Sequence, residues 1–82
     1  MDVRGEVLRV LDEVLSLNGR SASFELDTPL LGAVAELDSM AVVAVITTLE
    51  ERLGVVIGDD IDGDDFATVG SLVRMVSERL DG

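Results

Sequence analysis

Glu36-Leu37-Asp38-Ser39-Met40-Ala41-Val42-Val43-Ala44-Val45-Ile46-Thr47-Thr48-Leu49-Glu50-Glu51-Arg52-Leu53-Gly54 decides how the rest of the chain is read. By propensity alone, Met40 to Ile46 would suit a β-strand, because four of its seven residues are β-branched. Three other features predict a helix over 39–53. Asp38 is a natural N-cap, Val42, Val45, Ile46, Leu49 and Leu53 recur at three- and four-residue intervals, and Gly54 supplies an exit. Tertiary packing readily overrides the small propensity penalty. Met40, Val43 and Thr47 fall on a neighbouring stripe that the core need not use. Ser39 then opens the helix, where side chains are accessible and the helix dipole favours nearby negative charge. In the plain structural alternative, Ser39 only assists Asp38 in capping.

The same periodicity extends outward in both directions. Val3, Val7, Leu8, Leu11, Val14 and Leu15 predict a leading helix from Asp2 to about Leu17, with Asp2 as cap and Asn18-Gly19 as the stop. Residues 20–37 form a long first loop punctuated by Phe24, Leu26, Leu30, Leu31, Val34 and Leu37, which would bury against a helical core. Thr28-Pro29 suggests a single helical turn over 29–32. After the central helix, Val55-Val56-Ile57 tucks inward, and the acidic run Asp59 to Asp65 makes at most a short helix interrupted by Gly63. Phe66 anchors the next segment. Thr68 caps a last helix carrying Val69, Leu72, Val73, Val76 and Leu80. The expected fold is all-α: a small four-helix bundle of three main helices and one short one, with a long first loop, in a single domain over 1–82.

Composition removes most catalytic chemistry. The 82 residues include no Cys and no His, so thiolate metal sites, disulfides and Ser-His-Asp catalysis are absent. With only Phe24 and Phe66 as aromatics, the core must be aliphatic. The net charge of −11 is uneven. Residues 36–65 hold nine acids against Arg52 alone, whereas residues 66–82 balance two acids with two Arg. This field steers towards basic protein partners and disfavours nucleic acid and anionic membranes. No apolar run approaches membrane-spanning length, and a monomeric cytoplasmic protein is the expectation. An EF-hand loop placed on Gly63 would begin at Gly58 and end at Val69, leaving its first and last ligand positions without carboxylates, so no metal site is expected. Adjacent Glu50 and Glu51 diverge around a helix and do not make a catalytic pair. An enzyme is not expected.

Ser39, with no base of its own, is a poor nucleophile but a suitable acceptor for a group delivered by another enzyme. Glu36-Leu37-Asp38-Ser39-Met40, followed by a helix ending Leu49-Glu50-Glu51-Arg52-Leu53-Gly54 and later by Phe66-Ala67-Thr68-Val69-Gly70-Ser71-Leu72, resembles the acyl carrier protein family over essentially the whole chain. The resemblance implies covalent phosphopantetheine on Ser39, donated by coenzyme A through a phosphopantetheinyl transferase. The prosthetic thiol then holds acyl groups as thioesters, which explains a thiol role for a chain without cysteine. It further implies that Asp38 caps the helix and presents Ser39, and that the aliphatic bundle expands to shelter a growing chain. Met40 and Val43 would meet acyl-loading and acyl-processing enzymes beside the arm.

One departure narrows the expectation. Fatty-acid carriers commonly place further acids in the first two turns after the serine, whereas here no charge lies between Asp38 and Glu50. Partners would then read Met40, Val43 and Thr47 by apolar contact, with charge supplied by Glu36, Glu50, Glu51 and the 59–65 cluster. That favours a specialised lipid or polyketide-like pathway. Leu37-Asp38-Ser39-Met40 also occurs in aminoacyl carriers of the D-alanyl type, the competing cargo. An unmodified helical module docking through Met40 and Val43 is the alternative from another class.

Overall fold

In the computed structural model, residues 2–58 and 61–81 are described. Three α-helices, α1 (Val3–Leu15), α2 (Ser39–Leu53) and α3 (Val69–Asp81), pack around an aliphatic core, with 3-10 turns at Arg20–Ser23 and Gly63–Phe66. The all-α expectation holds, and its fourth, short helix is the second 3-10 turn. The first 3-10 turn was not foreseen. No strand is present among the described residues, only an isolated antiparallel bridge between Pro29 and Thr68.

Each helix starts where its capping residue dictates. Asp2 accepts from the Gly5 amide at 3.1 Å and opens α1. The helix stops earlier than Asn18-Gly19, because Ser16 already takes the left-handed conformation and the Leu17 amide turns back onto the Asp12 carbonyl. Asp12 fixes this exit. Its Oδ1 accepts from the Gly19 amide at 3.1 Å, and its Oδ2 accepts from the Ser21 hydroxyl at 2.8 Å and the Ser21 amide at 3.2 Å. These bonds, the Ser21 hydroxyl foremost, hold the Asp12 carboxyl below its ordinary value.

The core takes Val7, Val10, Leu11 and Leu15 from α1, Val45, Ile46 and Leu49 from α2, and Val69, Leu72, Met75 and Val76 from α3. Val42, Leu53, Val73 and Leu80 are only partly buried against it. Met75 is buried on α3 where the sequence pattern placed Val73, which is only partly buried, because Val69, Leu72, Met75 and Val76 share one helical face at three- and four-residue spacing. Phe66 is fully buried, as an anchor should be.

The first loop buries Leu30 and Leu37, with Phe24 and Val34 packed partly against the core. Leu26 and Leu31, expected inside, are exposed. The cause is a backbone strap. The backbone of residues 26–31 lies alongside that of 66–70, where the Leu30 amide donates to the Ala67 carbonyl, Leu31 to Phe66, Val69 to Thr28 and Gly70 to Leu26. Leu30, next to the Pro29–Thr68 bridge, points inward, whereas Leu26 and Leu31 fall in the turns on either side and stay outside. Pro29 therefore lies in the strap instead of opening a helical turn, and the turn begins at Leu30, whose carbonyl accepts from Ala33 and Val34. Gly70 is required here, since a Cβ at this position would sit 2.8 Å from the Leu26 carbonyl oxygen.

Beyond α2, Val55 and Ile57 are buried, but Val56 between them is 86% exposed, which corrects the expectation that all three turn inward. Gly63 begins the second 3-10 turn instead of interrupting a helix. Asp62 caps that turn and Asp65 reciprocates through the Asp62 amide. The part of the acidic run formed by Asp59 and Asp60 lies outside the described residues.

Candidate functional site

The start of α2 is a capped helix end with an exposed serine. Asp38 has extended backbone, its Oδ1 accepts from the Ala41 amide at 2.8 Å, and its carbonyl accepts from Val42 at 2.9 Å. Leu37 just before it is buried and Val42 just after it packs against the core, so apolar contacts on both sides fix the angle of the turn. Between these anchors Ser39 is the first residue of the helix, and it is exposed. A phosphate bonded to its hydroxyl would lie at the positive end of the helix, where free amides and the dipole favour an anion. The residues present fit a phosphodiester-linked group.

Along the same helix, Met40 is 82% and Val43 64% exposed, and Thr47 is exposed with them. They make an uncharged stripe leading away from Ser39. The acids expected to flank it divide into two kinds. Glu51 is exposed. Glu36 pairs with Arg20, and its carboxyl is lowered by its own backbone amide and by that pairing, so its charge is balanced locally. Glu50 turns onto the chain itself: its Oε2 accepts from the Ile57 amide at 2.8 Å and the Gly58 amide at 3.0 Å. Those two bonds, Ile57 first, lower its carboxyl below the ordinary range. Arg52 pairs with Glu13 of α1, so the single cation of the central segment is also engaged. Sequence reasoning treated Glu50 as a surface acid. Its backbone partners lie seven and eight residues further on, with no side-chain signal to mark them.

A cavity of about 270 Å³ lies beside α2, lined by Val42, Val43, Ile46, Thr47, Glu50, Gly58 and Ile61. A larger open groove of about 660 Å³ lies between the first loop and α3, but no α2 residue lines it, so it has no geometric relation to Ser39. No cluster of three or more metal-ligating side chains occurs among the described residues. No helix is long and apolar enough to cross a membrane.

With the capped helix and its exposed serine described, the comparisons supply the class, a phosphopantetheine carrier. Residues 5–76 match the family described as phosphopantetheine attachment site, and the chain belongs to that family. It is similar to a holo acyl carrier protein from Nitrosomonas europaea, solved by solution NMR, with 41% sequence identity, a TM-score of 0.91 and complete coverage of both chains. A search of curated protein sequences gave no match. The chain is thus an acyl-carrier-like phosphopantetheine domain, a carrier and not an enzyme.

Proposed function

We propose that Ser39 is the attachment point and that the protein carries acyl intermediates for enzymes of a specialised lipid or polyketide-like pathway. The observation that supports this most is the exposed hydroxyl at the first position of a helix capped by Asp38, in a chain with neither Cys nor His. A phosphopantetheinyl transferase would bring coenzyme A to this hydroxyl. The Ser39 oxygen would form the new bond to phosphorus, its proton would pass to the transferase, and the nucleotide portion of coenzyme A would leave. The arm, once bound, supplies the thiol on which an acyl group is held as a thioester. Asp38 keeps the first turn closed while the transferase approaches. Met40, Val43 and Thr47 form the face that partners read by apolar contact, with Glu51 as its nearest unengaged acid and the Glu36–Arg20 pair at its upper edge.

The groove supports acyl cargo over aminoacyl cargo. Its upper wall is Val42, Val43, Ile46 and Ile61, which an aliphatic chain can cover favourably and a charged aminoacyl group cannot. The reading takes the carrier as a monomer in the cytoplasm, served by a loading ligase or acyltransferase. Intact mass after incubation with coenzyme A, magnesium and a broad-specificity transferase tests it. A gain of one phosphopantetheine is expected for the native chain and none for Ser39→Ala. Absence of gain in the native chain, with a known carrier modified alongside, would leave only an unmodified docking module. A ligase that loads the holo form with an amino acid in preference to an acyl donor would overturn the choice of cargo.

A further inference from the structure

The exit of α1 carries the chain's single Asn, and no Gln occurs anywhere, so Asn18 holds the one side-chain amide. It is exposed, held in the left-handed conformation at φ 57°, and followed by Gly19, whose missing side chain leaves the peptide nitrogen uncrowded. An asparagine before glycine can modify itself. The glycine nitrogen loses its proton to base and attacks the Asn18 Cγ, ammonia leaves, and the cyclic imide that remains takes up water to give aspartate or isoaspartate. In this fold that nitrogen is engaged. Its N–H donates to Asp12 Oδ1 at 3.1 Å, while Oδ2 of the same carboxylate accepts from the Ser21 hydroxyl at 2.8 Å and the Ser21 amide at 3.2 Å. The Leu17 amide, one residue before Asn18, donates to the Asp12 carbonyl at 3.0 Å. Asp12 therefore grips the chain on both sides of Asn18.

We propose that Asn18-Gly19 is a self-modification site kept closed by Asp12, and that it reacts when the exit of α1 opens. The carboxylate acts in two ways. It holds the N–H that must be lost before attack, and its charge disfavours the amide anion that would form beside it. Asp12 is also a poor base for that proton, because its partners, the Ser21 hydroxyl foremost, hold it below the usual carboxylate value. The neighbouring Arg20 guanidinium, which would favour such an anion, is engaged by the Leu17 carbonyl and Glu36. Refolding does not undo the reaction. Isoaspartate adds a methylene to the backbone and moves the Gly19 amide off Asp12, and either product sets a second carboxylate near the first. None of the residues of the carrier site takes part.

The test follows the intact mass of the full chain during prolonged incubation at mildly alkaline pH. With one side-chain amide present, every conversion of amide to acid reports Asn18, and peptide mapping separates isoaspartate from aspartate. Asp12→Ala should convert about tenfold faster than the native chain, the effect of losing one hydrogen bond to a charged acceptor. Val76→Ala, which opens a cavity in the core and leaves Asp12 in place, should convert at close to the native rate while folded. In urea all three should convert at one fast rate. If Asp12→Ala does not fold, Ser21→Ala decides: it frees the carboxylate from its leading partner and gives a smaller rise in the same direction. Native rates in every folded Asp12 or Ser21 variant overturn the role of Asp12, and a slower rate overturns it by making Asp12 the base. A rise in Val76→Ala as large as in Asp12→Ala overturns it by assigning the protection to the fold as a whole. No conversion even in urea overturns Asn18 as a modification site.

Discussion

The starts of α2 and α3 each place a serine in the first helical turn, and the two serines have opposite fates. At α3, the Ser71 hydroxyl accepts from the Thr68 amide and lies within hydrogen-bonding distance of the Asp65 and Thr68 carbonyls, while Thr68 Oγ1 accepts from the Ser71 amide. The strap to the first loop then fastens this corner from outside. At α2, Asp38 does the capping alone and Ser39 stays exposed. The difference shows what a reactive-looking residue needs in a small helical protein. A serine absorbed into its own cap is structure, whereas one whose cap is supplied by its neighbour is available to another enzyme.

The largest expected break in this comparison is all-or-none. Ser39→Ala removes phosphopantetheine attachment, read by intact mass, and leaves the unfolding midpoint nearly unchanged because no core contact is lost. Next is Gly70→Val at the fastened corner. Its Cβ would press into the Leu26 carbonyl, 2.8 Å away, and overpacking against rigid backbone should cost about 2–3 kcal/mol in denaturant unfolding. Ser71→Ala should cost about 1–2 kcal/mol by leaving the Thr68 amide without its acceptor, yet keep full modification at Ser39. Asp38→Ala should cost about 1 kcal/mol, the usual value of an N-cap, and slow modification without abolishing it.

The smallest effect concerns acid. The Asp12 carboxyl titrates below its ordinary value of 3.8 in the folded chain, with the Ser21 hydroxyl the leading cause. Its contribution is therefore complete above that value and is lost as pH falls through the lower folded value. Asp12→Asn should be less stable than the native chain at neutral pH, and the gap should narrow below about pH 4. Urea midpoints of both proteins at each pH check this. A gap that widens in acid would show that Asp12 is not holding the exit of α1 by its charge.

Much of this was legible in the sequence because the helices announce their ends. The bounds of α2 follow from Asp38 and Gly54, and Ser39 stood out once Cys and His were found missing. The strap was not legible, since its bonds join backbone to backbone and only Gly70 marks it. For the same reason Pro29 looked like a helix starter and Leu26 and Leu31 looked like core. Val56 followed from treating an apolar triplet as one unit, although an extended segment shows its middle residue to the other side. Glu50 and Asp12 were unreadable as ties, because a carboxylate that accepts from distant amides looks in sequence like any other solvated acid.

The strap also divides the molecule by how its backbone exchanges with solvent. The Leu30, Leu31, Val69 and Gly70 amides all bond across between residues 26–31 and 66–70, so they are expected to open together. The Ile57 and Gly58 amides hang on one carboxylate and are released whenever Glu50 lets go. Deuterium should therefore enter at 57 and 58 well before it enters the strap, and sooner still below the ordinary Glu50 value of 4.5 once the chemical exchange rate is allowed for.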